Sequence, residues 1–135
     1  MAKTQKAEAR MHFSETKTWQ RAQNIYVEAA QELNAIDELE SEMIRHRILR
    51  HILKSTNCLA QAVDSYKSDQ KKYYFHCAIS ACLDAQSEIL VAKAANYFDL
   101  TSMNDEISIL IRQIGANINH INEKNEKVVD KETAS

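Results

Sequence analysis

Proline is absent from this sequence and glycine occurs once, at Gly115. Average usage is about 5% proline and 7% glycine, so both chain breakers are nearly missing. Turns and sheet corners rely on residues that fix φ or reach φ > 0, whereas helices do without them. The chain is therefore predicted to be all-α. A single glycine also excludes phosphate-cradling loops, whose backbone amides need several glycines to close on the anion. The glycine-flanked serine elbow of the hydrolases falls for the same reason. No run of about 18 apolar residues occurs, so no membrane-spanning helix is expected. The opening Met1-Ala2-Lys3-Thr4-Gln5-Lys6 is polar and has no apolar core, so no secretory signal is expected. The three cysteines, Cys58, Cys77 and Cys82, are odd in number and lie among apolar neighbours. They are read as reduced thiols of a cytoplasmic protein.

Metal and catalytic patterns are also missing. Carboxylate-bridged di-iron bundles place His three residues after Glu on two helices, and no Glu here has His at that spacing. Glu42 and His46 sit one helical turn apart, but a metal site needs three or four converging ligands. Cys77 and Cys82 do not form Cys-x-x-Cys, and His12, His76 and His120 are scattered without a nucleophile at a suggestive spacing. No catalytic residue, metal site or cofactor is expected, and an enzyme or metal carrier would need a site the sequence does not show.

What is present is helical periodicity. The 135 residues suit one domain large enough for a core. Trp19, Ala22, Tyr26, Ala29, Ala30 and Leu33 share one face of a first helix over about 15–33, with Ser14 as its N-cap. A second helix over about 37–66 carries Leu39, Met43, Ile48, Ile52, Leu59, Val63 and Tyr66, thickened by Leu49 and Leu53. Ser55, Thr56 and Asn57 interrupt that stripe and are able to bond back to the previous turn. A third helix over about 69–98 aligns Tyr74, Cys77, Ala78, Ala81, Ala85, Ile89, Ala92 and Ala95, mostly small residues that let a neighbouring helix approach closely. Ser102 and Asp105 resemble a capping box for a fourth helix over about 103–122. Its stripe of Ile107, Leu110, Ile111, Ile114, Ile118 and Ile121 is the cleanest in the chain. Four such helices with short connections predict an antiparallel up-down four-helix bundle over residues 14–123. Residues 1–13 read as a flexible segment and 124–135 as a polar tail.

Two features suggest interaction surfaces. Tyr73, Tyr74 and Phe75 are consecutive, so they cannot all face one core, and Ile109 lies off the fourth stripe. Partial burial at helix ends and an oligomer interface through Tyr73, Phe75 and Ile109 both remain open. The other feature is charge. The formal net charge is −2, mildly against nucleic-acid binding in bulk, yet Arg45, Arg47, Arg50, His51 and Lys54 cluster in the second helix. Such a ridge either follows phosphates or is an ordinary solvated face.

The order of short motifs resembles the bacterial four-helix-bundle family of the 23S rRNA intervening-sequence proteins and the accessory variability determinants of diversity-generating retroelements. The likeness runs through Thr18-Trp19-Gln20-Arg21-Ala22, Ile48-Leu49-Arg50 with Leu59-Ala60-Gln61-Ala62, Ser68-Asp69-Gln70-Lys71-Lys72-Tyr73-Tyr74-Phe75, Ala78-Ile79-Ser80-Ala81-Cys82-Leu83-Asp84 and Asn96-Tyr97-Phe98. The family's proline and glycine in helix two are replaced by Thr56 and Ala62. The resemblance implies a non-enzymatic homo-oligomer, typically pentameric, and in one branch an accessory that binds a reverse transcriptase and its RNA or DNA. A protein–protein adaptor with no nucleic-acid role is the alternative expectation.

Overall fold

The computed structural model describes residues 11–134, with side chains up to residue 127. Four long helices account for nearly all of it: α1 Lys17–Asn34, α2 Glu42–Asp64, α3 Ser68–Ala94 and α4 Thr101–Ala134. Single 3-10 turns at Phe13–Glu15 and Leu39–Ser41 precede α1 and α2. No strand occurs among the described residues. In space α1 packs on α2, α2 on α3, α3 on α4, and α4 on α1, so the four form a helical bundle around one core. Ile25, Leu33, Ile48, Leu59, Ile89, Ile107, Leu110 and Ile114 supply its largest fully buried apolar side chains.

Each boundary has a local cause. Ser14 does not cap α1. The 3-10 turn takes it up, its backbone N–H donating to His12 Nδ1, and Thr16 becomes the N-cap. Thr16 Oγ1 donates to Phe13 O at 2.7 Å. α3 ends four residues earlier than its sequence period suggests. Asn96 takes the left-handed conformation at φ 62°. The Tyr97 N–H then reaches Ala92 O, and the Asn96 N–H reaches Lys93 O, each at 3.0 Å. This is a Schellman stop with asparagine in the glycine position. α4 starts at Thr101, where Asp99 Oδ1 accepts from both the backbone and the hydroxyl of Thr101. Those bonds hold the Asp99 carboxyl below its ordinary value. The expected Ser102–Asp105 box does not start the helix.

α4 runs past its expected end near residue 122, through the segment read as a polar tail, and continues to Ala134. No breaker interrupts this stretch, and Glu123 stands one turn before Lys127, the favourable orientation for a helical ion pair. The remainder of the expected 1–13 segment, residues 1–10, lies outside the described residues.

The second stripe is out of phase with its reading. The inward face of α2 is Ile44, Ile48, Ile52, Ser55, Thr56, Leu59 and Ala62. Leu39, Met43 and Tyr66 are 82%, 70% and 86% exposed, because Leu39 and Tyr66 fall outside the helix and Met43 turns away from Ile44. Thr56 does bond back, donating to Ile52 O at 2.9 Å. Ser55 instead crosses to α3, donating to Ala78 O at 3.1 Å, with Cys82 Sγ also 3.1 Å away.

Candidate nucleic-acid interface and exposed faces

The five basic residues of α2 do not form one ridge. Arg45 turns back toward the α1–α2 connection. Its guanidinium donates to Leu33 O, Ile36 O, Glu38 O and Ser41 Oγ at 3.3, 2.7, 2.6 and 3.0 Å. Carbonyls after a helix end lack intrahelical partners, and a five-donor fork satisfies several at once. Arg45 is therefore a loop clamp, and its assignment to nucleic-acid binding is corrected.

Arg47 and His51 turn toward α3. Arg47 Nε lies 2.9 Å from Glu88 Oε1, and His51 Nε2 lies 3.4 Å from Glu88 Oε2. Oε2 is buried and makes no hydrogen bond, so the histidine contact is too long or too poorly aligned to count as one. Arg47 is spent on an acid of this chain, and His51 is turned toward the same carboxylate. Arg50 and Lys54 alone of the five are exposed with no ion pair among the described residues.

The aromatic run is divided by its 100° steps. Phe75 is 6% exposed and belongs to the core, which corrects its assignment to an oligomer interface. Tyr74 is half-buried against that core, and Tyr73 is 63% exposed. Ile109 is half-buried on α4.

Sequence reasoning missed the face on which Tyr73 stands. The inward side of α3 buries Phe75, Ala78, Ala81, Cys82, Ala85, Ile89 and Ala92. On the opposite side, Tyr73, His76, Ser80, Leu83, Ser87, Leu90, Val91 and Ala94 are all exposed. None of these eight is Asp, Glu, Lys or Arg, and one exposed acid, Asp84, stands on their border between Tyr73 and Val91. At 1.5 Å per residue this largely uncharged strip is about 32 Å long. The signal was legible as apolar residues on both sides of one helix, a pattern that marks a helix covered on both sides.

A separate concavity of about 420 Å³ opens at one end of the bundle, between Thr16 and the start of α1, the end of α2, the start of α3 and residues 117–124 of α4. Trp19, Leu59, Val63, Phe75 and Ile121 make its apolar wall. Among the described residues no group of three or more His, Cys, Asp or Glu is placed to hold a metal, and no helix is long and apolar enough to cross a membrane. The three thiols are free. Burial pushes the Cys82 thiol up to about 11, against the bond to Ser55.

No protein-family model, curated protein or solved structure matches this chain.

Proposed function

We propose that this chain is a non-enzymatic helical scaffold whose work is association, and that it self-associates through the outer face of α3. The observation that carries this reading is the largely uncharged strip from Tyr73 to Ala94, with Tyr73, Leu83, Leu90 and Val91 each more than half exposed and Asp84 at its border. Contiguous exposed apolar surface of this kind marks contact sites. The strip alternates large and small residues. An antiparallel partner helix centred between Ala81 and Cys82 sets Tyr73 against Leu90, His76 against Ser87 and Ser80 against Leu83. His76 and Leu83 then meet serines, and Tyr73 packs on Leu90. This is the adaptor reading, with a second copy of the chain as its first partner.

The same proposal takes the bundle as antiparallel and up-down. Bonded pairs support it: Thr18 with Asn117 and Arg21 with Gln113 and Glu106 across α1–α4, and Arg47 with Glu88 and Ser55 with Cys82 across α2–α3. In each interface the residue number falls on one helix as it rises on the other.

A nucleic-acid role, with RNA or DNA and a reverse transcriptase as partners and a pentamer as the assembly, is supported by the order of family-like motifs and by Arg50 and Lys54, which are exposed and have no ion pair among the described residues. Two cations per chain make few phosphate contacts, so that role requires the ring to multiply them. A cytoplasmic location belongs to the same reading.

The test is chemical cross-linking and sedimentation of the chain and of Leu83→Glu with Leu90→Glu. Both positions face solvent in the monomer, so the double variant keeps its helix content. Loss of the assembly in the variant supports the α3 face, and an assembly unchanged by both charges removes it.

A further inference from the structure

The concavity at the bundle end is independent of the α3 face and has a chemistry of its own. Its floor is core: Leu59 is 1% and Phe75 6% exposed. Trp19 closes one side, held edge-on by Phe13 with ring centroids 5.3 Å apart. The volume of about 420 Å³ lies in the range of about 300–1,000 Å³ usual for small-molecule sites.

Every charged residue lining it among the described residues is basic. Lys17, Lys71 and Lys124 stand around the apolar wall together with His120, and no described Asp or Glu lines the site. In a chain with 19 acidic and 17 basic residues, this is a local reversal of sign. Lys71 is partly engaged, donating to Ala62 O and Val63 O at 3.2 and 3.0 Å. Lys17 and Lys124 are exposed and have no ion pair among the described residues. Thr18 Oγ1 and Asn117 Nδ2 bond each other at 3.0 Å across the rim, tying α1 to α4 where the cavity opens.

An apolar slot under a ring of ammonium groups matches one ligand chemistry, an alkyl chain ending in an anion. A bare phosphate or a nucleotide leaves the apolar wall uncovered, and a neutral lipid leaves the lysines unused. We propose that this cavity binds a free acyl carboxylate as a monomer, with the chain against Trp19, Leu59, Phe75 and Ile121 and the carboxylate between Lys17 and Lys124.

Trp19 is the only tryptophan in the chain, so its fluorescence reports occupancy without a label. The experiment titrates the full chain with sodium laurate below its micellar concentration. Parallel arms use dodecyltrimethylammonium, dodecanol, adenosine monophosphate and phosphatidylglycerol vesicles. The expected result is a saturable shift of Trp19 emission with laurate alone. Each methylene removed from the ligand weakens binding by up to about fourfold, from the transfer free energy of a buried CH₂. Lys17→Glu with Lys124→Glu weakens laurate about tenfold, a scale set by two partly exposed ion pairs, and leaves the circular dichroism unchanged. Equal response to the cationic amphiphile, no effect of the two substitutions, saturation by the nucleotide alone, or a response confined to vesicles would each overturn the proposal.

Discussion

Replacing Arg45 with methionine separates a structural cation from a functional one. The substitution keeps the length of the stem and the helix propensity, and it removes four hydrogen bonds of 2.6–3.3 Å to Leu33, Ile36, Glu38 and Ser41. Hydrogen bonds from a charged donor contribute about 1.5–3 kcal/mol each when buried. Three of the four are only partly buried and the one to Glu38 O is exposed, so the sum is discounted to about 3 kcal/mol. With a urea m-value of about 2 kcal/mol/M for a small domain, the unfolding midpoint falls by about 1.5 M. Arg45→Lys recovers less than half, because one ammonium cannot span four acceptors. Arg50→Met, at an exposed position, stays within about 0.5 kcal/mol of the parent. Equal and small effects of Arg45→Met and Arg50→Met would refute the clamp and return Arg45 to the exposed basic face.

Three further outcomes follow from burial and backbone geometry. Phe75→Ala lowers stability by about 3–5 kcal/mol in the same urea assay, since Phe75 is a core residue. Gly115→Ala raises stability by about 0.5–1 kcal/mol, because a Cβ at this helical position meets nothing within 4 Å. The Cys82 thiol is raised from 9.0 to about 11 by burial. The folded state therefore holds the proton more tightly, and stability is complete below pH 9 and declines as pH rises toward 11. Unfolding monitored across that window shows a flatter decline for Cys82→Ala, and Cys82 resists iodoacetamide while the chain is folded.

The fold was legible where a single period ruled a long segment. α4 shows this best: four of its six stripe residues, Ile107, Leu110, Ile114 and Ile118, are buried. α2 was harder, since Leu39 and Met43 extend a helical stripe on paper. The 3-10 turn at Leu39–Ser41 resets the phase and hands the inward position to Ile44. The helix ends were missed where the stop is conformational rather than compositional, as with the left-handed Asn96.

The candidate sites depended on contacts between distant residues. A cluster of cations in sequence says nothing of which carboxylates meet it. Glu88 lies 41 residues after Arg47, and their ion pair removes the centre of the expected ridge. Likewise Phe75 and Tyr73 look alike in sequence, and only the packing direction of α3 assigns one to the core and the other to the surface. The cavity at Trp19 gathers residues from all four helices, so no local window contains it.

The α3 face is tested most directly by the mass of the unmodified chain in solution, measured by light scattering over a range of concentrations at low and at 1 M salt. Self-association through a largely uncharged strip predicts a mass that is a multiple of 15.5 kDa and persists at high salt, where surface ion pairs are screened. A mass of 15.5 kDa at every concentration contradicts it and leaves the outer face of α3 without a second copy to cover it.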